Sequence, residues 1–389
     1  MEHTASSRQR AGIVGGGIGG LAAAIALRKA GWDVTVYEQA SEFAEVGAGL
    51  VLLPNALAAL DEIGVGDDIR ANSHPYSLGG IRNPRGRILM SHRKGAGGRD
   101  PVIVHRADLI DVLVRALPAG CLRTGTAVNS VGVDGEVVTA AGADRYDLVV
   151  AADGVHSVVR QQIWPGEGSV EGSGVTAWRW IIDAPPPSWV GQVWGNREEF
   201  GILPLTGGRT WAYAGARGGV DILEHFADWP EPVSQLVANA DPTRIIEHEL
   251  LEIRPPKSLI RGKIALIGDA AHAMHPHLGL GAATAIEDAV TLAAFATDLP
   301  GYNKDRRRRV RTSQWLSRRM SRVIMPANRP FAAVRDVVMG LTPGVLALSV
   351  FGVVNRWRPR PITCRTECDE RVELQEEIPT IDKRIANEK

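Results

Sequence analysis

Gly15, Gly17 and Gly20 fall in the run Gly15-Gly16-Gly17-Ile18-Gly19-Gly20, at the spacing G-x-G-x-x-G. Glycines so placed let a chain turn sharply from strand to helix, bring bare backbone against a pyrophosphate, and seat the helix closely on the strand. The helix start then offers unpaired N–H groups and the positive end of its dipole to the phosphate. Glu38 stands 18 residues past Gly20, at the end of the next strand-like run. A carboxylate there accepts hydrogen bonds from a ribose diol and repels a 2′-phosphate. A glycine turn alone can serve packing only; preceding strand, following helix and acid together favour nucleotide binding.

A second group is Gly268-Asp269-Ala270-Ala271-His272, then Pro276-His277-Leu278-Gly279-Leu280-Gly281, then Glu287-Asp288-Ala289. It follows the apolar run KIALI at 263–267, so Asp269 lies at a strand's carboxyl end, where α/β folds place ligands. Gly279 and Gly281 open a long helix, a second N-terminus suited to an electron-rich group. A capped turn would explain the acid and one glycine, but not Pro276 and the paired glycines. A third group ends the run at 147–151: Asp153 and Gly154, with Ser157 and Arg160 one helical turn on. Taken singly, Asp153-Gly154 is a turn.

The elements that must position these groups can be read from apolar patterning. Residues 12–17 read as a buried strand entering a turn, 18–30 as a small-residue helix ended by Gly31, and 33–37 (DVTVY) as a strand, the start of a βαβ unit. Helices are expected at 54–63 and 106–117, and a meander at 121–146. From 172 to 217 the pattern alternates (VTAWRWII, GQVWG, EEFGILPL, RTWAYAGA), as in an antiparallel sheet. Helix is expected to dominate from 280 to 355, and the last thirty residues read as a charged tail.

The chain has 389 residues, with 44 basic and 44 acidic side chains. It exceeds the roughly 250–300 residues at which one core stops growing, so more than one domain is expected. Zero net charge argues against a nucleic-acid binder. Cys121, Cys364 and Cys368 are too few for a disulfide framework, which points to a reducing, cytoplasmic setting. Cys364 and Cys368 lack companion ligands, so no metal site is expected. Residues 1–10 have no apolar core and do not read as a signal peptide. The run 337–354 just reaches spanning length but contains Pro343, Gly340 and Gly344, and reads as a packed, broken helix pair rather than a membrane segment. Arg306, Arg307, Arg308, Arg309, Arg311, Arg318, Arg319 and Arg322, with Asp305 as the only nearby acid in sequence, read as a solvated helix face.

In this order and at these separations, the three groups resemble the single-component (group A) FAD-dependent monooxygenases of the salicylate hydroxylase and p-hydroxybenzoate hydroxylase type. The resemblance spans about residues 11–330. It takes in Glu45-Val-Gly47-Ala-Gly49-Leu50 with Pro54-Asn55-Ala56, His105-Arg106-Ala-Asp-Leu, and Phe200-Gly201-Ile-Leu-Pro204-Leu205. It implies an α/β fold: a Rossmann-like FAD-binding domain (1–70, 100–171 and 255–300) interrupted by a mainly antiparallel β-sheet substrate domain (71–99 and 172–254). C-terminal helices (301–358) and a charged tail (359–389) follow.

Carried onto this sequence, the resemblance implies that Gly15, Gly17, Ile18, Gly19 and Gly20 hold the FAD pyrophosphate and Glu38 the adenosine ribose. Gly49 falls in a cofactor-contacting segment, Arg106 reaches the ribityl and phosphate region, and Val128 touches the adenine through its backbone. Asp153, Gly154, Ser157 and Arg160 support FAD and influence nicotinamide use. Asp269 binds the ribityl chain; Pro276, Gly279, Leu280, Gly281, Ala282 and Ala283 lie along the flavin. Relatives commonly carry Gln and Asn where Leu280 and Ala283 stand, a change expected to make the pocket less polar and to favour an apolar substrate.

The implied reaction uses NADH or NADPH and O2. A flavin C4a-hydroperoxide passes one oxygen to an aromatic or hydrophobic polycyclic molecule, by hydroxylation or epoxidation. Arg179, Tyr213 and His275 are the candidates for acid–base or anchoring work, with His272 a structural loop histidine. Arg179 alternates with Trp178 and Trp180 and so points opposite to both. Six of the ten tryptophans fall within 178–229, an aromatic wall suited to a large flat substrate. The other readings are an FAD oxidase or dehydrogenase without oxygen insertion, and a non-catalytic flavin redox sensor. A monomer or homodimer is expected, with no nucleic-acid or membrane partner.

Overall fold

The computed structural model describes residues 8–43, 48–76, 79–91, 100–342 and 356–363. Short runs rich in β-branched residues form a six-stranded sheet. Its order is Ile260–Arg261, Ile264–Leu266, Leu148–Ala151, Arg10–Val14, Asp33–Tyr37 and Leu122–Arg123. All pairs are parallel except the first. Ile13, Val36, Val149, Val150 and Leu266 are fully buried, as a parallel sheet covered on both faces requires.

The helix Ile18–Lys29 packs on this sheet and against the helix Leu280–Ala294. Ala22, Ala23, Ala24 and Ala26 on one helix, and Ala283 and Ala289 on the other, are buried, and a Cβ on Gly19 would lie 3.3 Å from that of Ala285. The composition of the first helix therefore sets its close approach to the second, joining the first two sequence groups at one place.

The chain leaves this layer to build a seven-stranded sheet. Its order is Ile246–Ile253, Val170–Ile182, Arg209–Ala216, Glu198–Leu205, Gly191–Trp194, Ile81–Arg82 and Ile88–Met90. Its pairs are antiparallel apart from Gly191–Trp194 with Ile81–Arg82. A three-stranded sheet has Val102–His105 at its centre, paired with Gly49–Leu52 on one side and Ser73–Pro75 on the other, so the strand at 73–75, past the boundary expected at 70, pairs with a strand of the segments expected to bind FAD. The meander is the small sheet Val128–Val131, Glu136–Thr139 and Gly142–Arg145.

Three helices close the described fold: Leu280–Ala294, Leu299–Ile324 and Arg329–Leu341. Much of the apolar run at 337–354 and nearly all of the charged tail, with Cys364 and Cys368, lie outside the described residues. Among the described residues no helix is long and apolar enough to cross a membrane, and no group of three His, Cys, Asp or Glu could hold a metal ion.

The arginine-rich helix departs from its expected solvation. Arg306 is fully buried, with Nε 2.6 Å from Asp288 and Nη2 2.9 Å from Glu287. Arg309 makes a two-pronged contact with Glu287, and Arg318 donates to Glu252 at 2.7 Å. The acids come from other elements, the helix Leu280–Ala294 and the strand Ile246–Ile253, so the local sequence showed only Asp305. Asn55 Nδ2 also donates to Glu287 (2.6 Å) and His272 Nε2 contacts Asp288 Oδ2 (2.5 Å). Burial disfavours charge on Asp288, yet His272 and Arg306 together hold its carboxyl below the usual range. His272 is structural as expected, although it ends the short helix Gly268–His272 rather than standing in a loop.

Candidate active site

The glycine turn is built as its spacing demands, each glycine for a different reason. Gly15 has φ +103°, and a Cβ on it would lie 2.4 Å from the Ala152 carbonyl oxygen. A Cβ on Gly20 would collide with the Gly15 carbonyl oxygen, so this position fixes the approach of helix to strand. Among the described residues Gly17 has no heavy atom within 4 Å of its missing Cβ, and it borders a cavity. It caps the helix Ile18–Lys29 without a side-chain hydrogen bond, leaving the first N–H groups to a ligand. Glu38 turns toward this cradle: Oε2 accepts from Gly16 N at 2.7 Å and Oε1 from Ala40 N at 2.9 Å. Val128 begins the small sheet on the same side, joined through the Thr126 N–H to the Glu38 carbonyl.

The second helix start repeats the arrangement. Gly279 is left-handed (φ +64°) and caps Leu280–Ala294, again without a side-chain hydrogen bond. By contrast, Ser157, Asp298 and Asn328 cap their own helices. No described residue stands within 4 Å of a Cβ on Gly281, and Gly281, Ala282 and Pro276 line the same cavity as Gly17 to Gly19. Both motifs thus open on one space with backbone N–H groups free, a cradle that fits a dinucleotide. Leu280 and Ala283 do not line it. Leu280 is fully buried with Leu53, Met274 and Leu278, so its departure from the common Gln fills a core and does not reduce the cavity's polarity.

Arg106 and Asp269 face this space from opposite motifs; burial lowers the Arg106 pKa and the Asp269 charge opposes that. Gly154 also borders it, whereas Asp153 and Arg160 do not. Asp153 accepts from Ser157 Oγ (2.6 Å) and Val159 N (3.1 Å), and burial raises its carboxyl pKa against those bonds. Arg160, nearly fully buried, donates to the carbonyls of Ala270 and Val155, stitching the third motif to the second. Gly49 lies under the Trp211 indole, which a Cβ would strike at 2.3 Å.

The cavity has a volume of about 610 Å³ and runs from the glycine turns to the inner face of the seven-stranded sheet. Arg179 and Tyr213 line it and are cross-strand partners. Burial, then the neighbouring Arg106 charge, lowers the Arg179 pKa, and its Nε has no hydrogen-bond partner among the described residues. Tyr213 OH accepts from Gln192 Nε2 at 2.7 Å, which leaves its own proton free to donate. His275 is different. It does not line the cavity; its Nε2 lies 3.7 Å from Glu252, behind the loop. The loop turns its neighbour but one, His277, inward instead.

Residue types alone did not single out Glu199, His277, His248 or Gln192, all of which border the cavity. Glu199 and Gln192 were legible in principle, as inward positions of strands whose alternate residues Phe200 and Val193 are core. The tryptophan wall is largely core too. Trp178, Trp180 and Trp229 belong to one core cluster, and of the six only Trp178, Trp194 and Trp211 also line the cavity.

Comparisons with known proteins agree with this layout. The family model "FAD binding domain" matches residues 8–307. Aurachin C monooxygenase/isomerase of Stigmatella aurantiaca is 35% identical over 302 residues, 72% of this chain and 79% of that protein. The 2-heptyl-3-hydroxy-4(1H)-quinolone synthase of Pseudomonas aeruginosa is 34% identical over 305 residues, with the same coverage. The crystal structure of Klebsiella pneumoniae HpxO complexed with FAD and uric acid superposes with a TM-score of 0.81 at 24% identity, covering 89% of this chain and 96% of that one.

Proposed function

This chain belongs to the FAD binding domain family and is an FAD-dependent monooxygenase, and from that premise we propose that it uses NADH or NADPH to insert one oxygen atom of O2 into a heteroaromatic small molecule. The observation that carries the reading is one cavity bordered both by the glycine cradles and by buried polar groups of the sheet that are unpaired among the described residues, Arg179 Nε and His248 Nδ1. The quinolone and uric acid in the relatives' names support a ring with nitrogen and oxygen functions.

When bound, FAD supplies the redox chemistry, taking electrons from the nicotinamide and activating O2. The protein's share is binding, orientation and exclusion of water. Gly15, Gly17, Ile18, Gly19 and Gly20 would hold the pyrophosphate, Glu38 the ribose diol, and the Val128 backbone the adenine. Arg106 and Asp269 would bind the ribityl and phosphate region between them. The N–H groups after Gly279 and Gly281 would meet the pyrimidine edge, where the helix dipole favours negative charge. Asp153 and Arg160 would act at one remove, by fixing the turn at Gly154. We assign the cofactor to segments 1–70, 100–171 and 255–300, and the substrate to the sheet of 71–99 and 172–254.

Arg179 would anchor a substrate oxygen. Tyr213, kept neutral by burial and already receiving one hydrogen bond from Gln192, would donate a hydrogen bond to a ring oxygen. The test is NAD(P)H oxidation by the purified yellow protein with a panel of 4(1H)-quinolones and hydroxylated heteroaromatics under isotopically labelled O2. Stimulated oxidation with label in the product is expected. Stimulated oxidation that leaves the product unlabelled would show an oxidase or dehydrogenase, and bound FAD without any stimulation a redox sensor.

A further inference from the structure

The cavity does not end at the sheet's polar residues. Met90, Trp194, Leu250, Met320, Ile324 and Met339 also line it, and all six belong to one apolar cluster, so that they form an apolar compartment of the cavity. We infer that this compartment binds an unbranched or sparsely branched hydrocarbon tail on the substrate's ring, so that the substrate is a lipophilic-tailed heteroaromatic. The inference rests on the monooxygenase reading and names its substrate class more closely.

Three features of the chain carry it. The first is dryness. None of the six walls carries a charge, and the one polar atom among them that needs a partner, Trp194 Nε1, donates to Gln192 Oε1 at 3.0 Å. Gln192 gives its other end to Tyr213, so it stands at the border between a polar chamber for a ring and an apolar one. The strand Ile246–Ile253 draws the same border, with His248 in the polar part and Leu250, two residues on, in the apolar part.

The second is methionine. Met90, Met274, Met320 and Met339 line the cavity, four of the six methionines in the chain. Methionine is unbranched and adapts its shape, so a wall built from it follows a flexible chain better than it grips a rigid polycycle. The third is the way the far wall is fastened. Arg335 on the helix Arg329–Leu341 is buried and donates to the carbonyls of Gly195 (3.0 Å), Trp194 (3.0 Å) and Ile324 (2.7 Å). It ties that helix to the strand Gly191–Trp194 and to the end of Leu299–Ile324, and so holds Met339 in the cavity wall. The helix that carries Met339 is thus fixed in place by a polar clamp.

The test uses the FAD-loaded protein as purified and a series of 2-alkyl-4(1H)-quinolones from methyl to nonyl. Dissociation constants are measured by calorimetry, independently of turnover. Affinity should rise by about threefold to fourfold per methylene until the tail reaches Met339, and then level off. Met339→Trp should move that plateau to a shorter tail and weaken the longest member at least tenfold, with methylquinolone unaffected. Affinity independent of tail length, or no binding by any member, overturns the inference. Oxygen insertion is scored separately by label in the product: unlabelled products with length-dependent binding would refute the monooxygenase reading and leave the tail compartment standing. If Met339→Trp does not fold, the length series on the unmodified protein decides alone.

Discussion

Glu199 Oε1 lies 3.3 Å from His277 Nε2, inside the cavity wall, and both side chains are uncharged near neutral pH. Burial pushes the Glu199 carboxyl up to about 8. Burial, helped by the His275 and Arg217 charges, pushes the His277 imidazole down to about 3. An acid and a base in contact therefore do not form an ion pair, because the site gives neither ion enough solvation.

For Glu199 the sign of the pH effect follows from a folded pKa above the ordinary one. Its contribution to stability is complete below the usual carboxylate range and is lost as pH rises toward about 8, since the unfolded chain ionises first. Glu199→Gln removes that loss. Its melting temperature, relative to the unmodified protein, should therefore rise between pH 5 and pH 8, measured by calorimetry or circular dichroism at roughly one-unit intervals. A difference independent of pH would show that Glu199 is ionised when folded.

Gly17→Ala separates cofactor binding from folding. A Cβ there meets no atom of the described residues, so the variant should keep the native circular dichroism spectrum. It should purify with much less FAD, its affinity lowered by about tenfold or more, since a methyl group would take the space of a phosphate. Gly20→Ala should instead fail to fold, because its Cβ meets the Gly15 carbonyl. Flavin-to-protein ratios and melting curves of the two variants check both statements.

Arg306→Met leaves Asp288 and Glu287 buried with one cation fewer. Breaking a buried ion pair from one side costs about 3–5 kcal/mol, whereas Arg308→Met, exposed on the same turn, should change stability by less than about 0.5 kcal/mol. Urea unfolding of the two variants is the measurement. Equal losses would mean that the buried contacts contribute nothing beyond those at the surface.

Arg179→Gln should raise KM for a heteroaromatic substrate by about tenfold or more with FAD content unchanged, the cost of losing a charged hydrogen bond. His275→Asn, behind the loop, should leave kcat/KM within about threefold, less than the effect of a lost hydrogen bond to a charged group. Steady-state kinetics on the two variants distinguish the residue that borders the cavity from the one that does not.

The cofactor side was legible because its demands are local. A turn that must admit a phosphate and a helix needs glycine at fixed offsets, and Gly15, Gly17 and Gly20 meet those offsets whatever the rest of the chain does. The substrate side was legible only as a pattern: alternation correctly sent Arg179 opposite to Trp178 and Trp180. It could not decide whether His275 or His277 turns inward, because a loop has no fixed period. Nor could it show that Arg306 is buried, since its partners Glu287 and Asp288 lie on another helix and only packing brings them together. Leu280 shows the same limit. A change at a motif position reads as a change in the pocket until the fold reveals that the side chain faces a core.

The helix Leu299–Ile324 has its two halves engaged in different duties. Arg306 and Arg309 moor its first half to the acids beneath the cofactor motif, and Met320 and Ile324 in its last turns wall the methionine-lined compartment. Its 26 residues span about 39 Å, so substitutions near 320–324 are several turns away from the moorings. Substrate range can therefore drift in descendants of this chain by changes in those last turns alone, with the redox half of the molecule inherited intact.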